Sequence, residues 1–63
     1  QHAVANRYQG MNLVEARDQF ERELIEATLK QHGYNVSRSA QALGVYPSNL
    51  HGKIRKLQIA MEK

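Results

Sequence analysis

Cysteine is absent from this 63-residue chain, so neither a disulfide nor a thiolate zinc site is available to staple it. Tryptophan is also absent, and proline occurs once. No apolar run approaches the roughly 18 residues of a membrane span, and no signal-peptide pattern opens the chain. The residues present are 41 % hydrophobic and 24 % charged, which reads as one soluble helical domain rather than a disordered tail. A domain of this size buries only about 60 % of its unfolded surface, so oligomerisation is the expected support for a marginal core. The chain opens on Gln1 rather than methionine, which reads as a fragment or a processed product.

Acidic residues are missing from more than half of the chain. Glu15, Asp18, Glu21, Glu23 and Glu26 crowd into one stretch, whereas Ala27 to Met61 carries no acid against Lys30, Arg38, Lys53, Arg55 and Lys56. The net charge of +3 is therefore lopsided, and a polyanion is the natural partner of the basic part.

Periodicity predicts an all-α fold of three helices after a linker or frayed start over residues 1–11. Asn12 is an N-cap, with Glu15 completing a capping box, for a helix from Leu13 to about Gln31. Leu13, Ala16, Phe20, Leu24 and Ala27 form one apolar stripe, and Val14, Ile25 and Leu29 form a second. Two stripes need two covers. The rest of so short a chain covers one of them, and a second copy of the same helix is the simplest cover for the other. The candidate homodimer residues are thus Leu13, Ala16, Phe20, Leu24, Ile25 and Leu29, with the choice of stripe left open.

Gly33 suits the left-handed position after the first helix, and Asn35 caps a short second helix, Val36 to Leu43. Gly44 stops that helix, and Pro47 opens the third, in which Leu50, Ile54 and Leu57 face inward. Two helices joined by a short glycine-containing turn make a helix-turn-helix. Ala40 is small where the helices must approach, Gly44 makes the turn, Val45 plugs the space between the helices, and Leu50 anchors the second of them. In that geometry the last helix presents its outer face to a DNA major groove. The face and its flanks carry Ser48, Asn49, His51, Gly52, Arg55 and Lys56, with no carboxylate.

The runs Gly33 to Ala40, Leu43 to Val45 and Asn49 to Leu57 resemble the Fis-type helix-turn-helix. That domain closes the bacterial enhancer-binding activators of the nitrogen regulatory protein C type, which depend on sigma-54. The segment from Phe20 to Ile25 resembles the family's first helix, so the likeness extends over residues 13–59. The resemblance implies a long dimerisation helix followed by a helix-turn-helix, a homodimer and a palindromic upstream DNA site. It also implies an ATPase domain, often behind a receiver domain, upstream of this chain in the intact protein and absent from it.

Three positions depart from the family pattern. Gln58 stands where glycine is common, so the third helix is expected to run on past it towards Lys63. Gly52 stands where a basic residue is usual, which leaves two readings open: close backbone approach to DNA, or drift. Pro47 replaces a frequently basic residue near the start of the recognition helix and removes one expected contact.

Reach assigns the roles. Ser48, Asn49 and His51 lie in the first turns of the recognition helix, where Asn49 can pair with adenine and His51 with a guanine acceptor. Tyr46 and Pro47 are placed for thymine methyls or the backbone. Lys53, Arg55 and Lys56 are candidate phosphate clamps, as are Ser37 and Arg38 at the start of the preceding helix. The carboxylates read as a solvated face, with Glu21 four residues after Arg17 and with Asp18 and Glu26 flanking Arg22. No catalytic set, metal site or cofactor motif emerges, because His2, His32 and His51 are mutually unpaired in spacing and no glycine-rich phosphate loop occurs. The expected function is sequence-specific binding of double-stranded DNA in the bacterial cytoplasm, at the nucleoid. A free-standing DNA-bending protein and a helical interaction module are the alternatives.

Overall fold

Asn12 starts the first helix as its spacing predicts. Its Oδ1 accepts the Glu15 N–H at 2.8 Å, and Glu15 Oε1 accepts the Asn12 N–H at 3.2 Å. This reciprocal box opens α1, Leu13–Gln31. The computed structural model describes residues 8–61, so residues 1–7 of the expected linker and residues 62–63 lie outside the described part. Tyr8 to Gly10 form a turn that the Met11 N–H closes onto the Tyr8 carbonyl at 3.0 Å. Asn35 Oδ1 accepts the Arg38 N–H at 3.0 Å and opens α2, Val36–Leu43. Pro47 occupies the first turn of α3, Pro47–Lys56. Among the described residues these three helices are the only regular elements.

All three helices end in the same way. After α1, Gly33 takes φ +63, and the Tyr34 N–H reaches back to the Leu29 carbonyl at 2.6 Å. After α2, Gly44 takes φ +74, and the Val45 N–H bonds to the Ala40 carbonyl at 3.0 Å. After α3, Gln58 takes φ +55, and the Ile59 N–H bonds to the Ile54 carbonyl at 3.0 Å. Each end pairs a left-handed residue with a bond closing back over the last turn, the Schellman arrangement. The expectation that the third helix continues past Gln58 is therefore corrected. The chain turns at Gln58 without the glycine that would make the turn easy, because the turn delivers Ile59 to the core, where it is 6 % exposed.

The core consists of Ile25, Leu29, Ala40, Leu50, Leu57 and Ile59, with Tyr34, Val36, Leu43 and Ile54 packed around it. Burying each of the large aliphatic side chains stabilises the fold by about 1.5–3 kcal/mol. This arrangement also shows which stripe of α1 the subunit covers itself, except at Val14, which stays 57 % exposed. Ile25 and Leu29 are buried against α2 and the chain after α3, so these two residues are not free to form a dimer seam. Leu13, Phe20 and Leu24 of the other stripe remain exposed, and Ala16 is half-buried. Ala40 and Leu50 occupy the anchoring positions expected of them. Val45 does not plug the helix-turn-helix as expected, because it is 41 % exposed and lies at the rim of a groove.

Two consecutive residues of α1 hold α3. Glu21 Oε1 accepts a bond from Lys53 Nζ at 2.8 Å, and Arg22 Nε donates to the Leu57 carbonyl at 3.2 Å. The expected local ion pairs of Glu21 with Arg17 and of Arg22 with its acidic neighbours are replaced by these longer-range bonds. Arg22 also donates Nη1 to Gln19 Oε1 at 3.3 Å. Thr28 satisfies its buried hydroxyl on the Leu24 carbonyl at 2.8 Å, whereas the fully buried Ser39 leaves its Oγ without a partner.

Candidate nucleic-acid interface

The second half of the helix-turn-helix starts from a bare helix end. Tyr46 occupies the N-cap of α3 in extended conformation and makes no side-chain cap bond, and Pro47 has no N–H of its own. The first amides of α3 are therefore left to solvent or to a ligand, at the end of the helix that favours negative charge. Inward-facing Leu50 is 1 % exposed and Leu57 3 %, which fixes the rotation of α3 about its axis. Ser48, Asn49, His51, Gly52, Arg55 and Lys56 are all exposed, as the inward stripe requires. Tyr46 stands 76 % exposed at the head of the helix. No acidic side chain belongs to α3, and its last turn carries Lys53, Arg55 and Lys56.

At the neighbouring edge, α2 exposes Ser37 and Arg38 in its first turn. Asn35 takes the Arg38 backbone N–H, and the Arg38 side chain is exposed. His32, Arg38, Gln41 and Ala42 border a shallow concavity on this side. The structure thus places Ser37, Arg38, Tyr46, Pro47, Ser48, Asn49, His51, Gly52, Arg55 and Lys56 on accessible surface.

Lys53 is different. It is half-buried at the flank of α3 that faces α1, with its ammonium bonded to Glu21. It borders an apolar groove together with Phe20, Leu24, Val45 and Asn49. Lys53, expected from the sequence as a phosphate clamp, is bonded to a carboxylate of α1 in this structure. Glu21 was read from the sequence as part of a local ion-pair lattice, and its tie to α3 was missed. A signal existed: on a helical wheel Glu21 falls between Leu24 and Ile25, at the border of the two apolar stripes.

Gly52 stands in helix interior without a steric reason in the free chain, since a Cβ there would meet nothing within 4 Å. Glycine costs about 1 kcal/mol relative to alanine at such a site.

The family model described as bacterial regulatory protein, Fis family, matches residues 16–57, which is most of the chain and takes in the helix-turn-helix and the greater part of α1. The chain belongs to the Fis family of bacterial regulatory proteins. This Fis-family chain is 42 % identical over 50 residues to the nitrogen assimilation regulatory protein NtrX of Azorhizobium caulinodans, covering 79 % of the chain and 11 % of that protein. It is 38 % identical over 45 residues to the transcriptional activator RocR of Bacillus subtilis, covering 71 % of the chain and 10 % of that protein. The chain spans about a tenth of the length of these curated relatives. No solved structure matches it significantly. The Fis-family domain is a helix-turn-helix DNA-binding module of a transcription regulator, and its fold is not an enzymatic one. Among the described residues no helix is long and apolar enough to cross a membrane.

Proposed function

We propose that the chain binds a palindromic DNA site as a homodimer, and that it is the C-terminal domain of a bacterial sigma-54-dependent activator whose ATPase domain lies upstream. The observation that carries the reading is the acid-free exposed face of α3, held at fixed rotation by Leu50 and Leu57. Names among the relatives add support, since one is a nitrogen assimilation regulatory protein and another a transcriptional activator. In this reading Asn49, Ser48 and His51 meet base edges, and Tyr46 and Pro47 lie against thymine methyls or the strand. Arg55, Lys56, Arg38 and Ser37 neutralise or bond phosphates, and Gly52 lets the backbone approach the groove.

The dimer seam in this reading is the outer stripe of α1. Phe20 is 53 % exposed and Leu24 44 %, on a helix whose other stripe is covered at Ile25 and Leu29. A palindrome demands that the dimer present its two recognition helices on one side, one helical turn of DNA apart. The protein then acts at the nucleoid, in the cytoplasm.

Selection of bound sequences from a random DNA pool, combined with sedimentation of the free chain, tests the proposal. A palindromic consensus and a dimer at micromolar concentration are expected. A pool enriched only for bendable steps would favour the free-standing DNA-bending alternative. Binding that ignores salt concentration would favour an interaction module, because phosphate neutralisation always gives a salt slope.

A further inference from the structure

Among the described residues, Lys53 is the one cation in the last turn of α3 that carries an intramolecular anion. Its Nζ lies 2.8 Å from Glu21 Oε1, and the two side chains are 44 % and 25 % exposed. The partners are 32 residues apart in sequence and belong to different helices, so the pair is a product of the fold rather than of local spacing. Glu21 stands against the apolar groove with Phe20 and Leu24. Asn49 lies one turn before Lys53 on the same flank of α3, at the border of the surface that would face DNA.

We propose that Glu21 is a positioning residue for DNA binding: it holds the Lys53 ammonium against α1 and keeps it out of the set of phosphate-neutralising cations. The proposal rests on the DNA-binding reading of α3. A lysine with a long flexible stem is otherwise free to find a phosphate in any register, and each phosphate neutralised adds about 0.9 to the slope of log affinity against log salt. The carboxylate competes with phosphate for the same ammonium, and it has the advantage of being covalently tethered to the domain. Glu21 thereby lowers the sequence-independent part of binding and leaves a larger share to base contacts.

The test is the salt dependence of binding to a scrambled 20-base-pair duplex by the full chain and three variants, each checked for helical content by circular dichroism. Lys53→Ala alone is expected to leave the slope within about 0.3 of the original, since the ammonium is already occupied. Glu21→Gln is expected to steepen the slope by about 0.9 and to raise affinity several-fold at low salt. Glu21→Gln combined with Lys53→Ala is expected to return both quantities to the original values. A loss of about 0.9 in slope for Lys53→Ala alone would overturn the proposal, because Lys53 would then be a working clamp despite Glu21. So would an unchanged slope for Glu21→Gln. An equal gain from Glu21→Gln with and without Lys53 would overturn it too, by reducing the effect to the loss of one negative charge. A merely structural role would shift the melting temperature of these variants and leave the slopes alone. If the unaltered chain shows no salt-dependent binding, the DNA-binding reading fails with the proposal, a result distinct from all the others.

Discussion

Arg22 and Leu57 are joined across 35 residues: the Arg22 Nε–H is donated to the Leu57 carbonyl oxygen at 3.2 Å. That oxygen belongs to the residue capping α3 at its C-terminal end, where helix carbonyls go unpaired and a cation is favourably placed. Residue 21, the immediate neighbour, binds Lys53 one turn earlier on the same helix. The orientation of the recognition helix therefore depends on polar bonds from α1 as well as on apolar packing. Packing through Leu50 sets which face of α3 looks outward, and the two bonds hold the half of the helix farther from the turn.

The end of α3 gives the first expectation. Gln58 is held at φ +55, a conformation that side-chain-bearing residues adopt at a cost of about 1 kcal/mol. Gln58→Gly should therefore stabilise the domain by up to about 1 kcal/mol, read as a higher denaturation midpoint in urea. A lower midpoint would show that the Gln58 side chain contributes more than its backbone strain removes.

Ser39 is fully buried with an unpartnered Oγ in the middle of α2. An unsatisfied buried hydroxyl costs about 1–3 kcal/mol, and alanine is the better helix former. Ser39→Ala should raise stability by about 1 kcal/mol in the same urea experiment. A destabilised variant would mean that the hydroxyl has a partner in solution, such as a water.

The two stripes of α1 should answer differently to charge. Phe20→Glu together with Leu24→Glu alters only exposed positions, so a folded monomer with weakened binding to a palindromic site is expected. Ile25→Glu places a carboxylate at a position 5 % exposed and should unfold the chain, a cost of several kcal/mol. Circular dichroism and sedimentation separate the outcomes. A double variant that stays dimeric would move the seam elsewhere.

Asn49 is exposed near the start of α3 and short enough to touch only what the groove brings to it. Asn49→Ala should cost about 1 to 3 kcal/mol on the preferred site and barely change binding to scrambled DNA. Lys56→Ala should instead weaken binding to both and lower the salt slope by about 1. Equal losses on both DNAs for Asn49→Ala would make that residue a phosphate contact.

Local chemistry made the helix starts legible in the sequence. Asn12 with Glu15, Asn35 and Pro47 each act within four residues of themselves, and each opens a helix where the spacing places it. The inward stripe of α3 was legible for the same reason, and with it the outward residues. What the sequence did not reveal depends on contacts between distant residues. Gln58 looks like an ordinary helix former, and only the gain from burying Ile59 against residues of α1 and α2 turns the chain there. Val45 has the size of a plug, but the groove beside α1 leaves it at the rim. Lys53 has the reach of a clamp, and a carboxylate 32 positions earlier claims it.

The segment that the family model matches, ending at Leu57, is shorter than the unit that folds. Ile59 lies beyond it, yet closes one end of the core and supplies the N–H that finishes α3. Cleavage between Leu57 and Ile59 would remove an apolar side chain worth about 1.5–3 kcal/mol of burial, a large fraction of the stability a domain of this size possesses. A protease acting at the exposed Gln58 would thus disarm α3 while leaving all of its exposed residues in place, and any ligand that binds only the folded domain would protect that bond from cleavage.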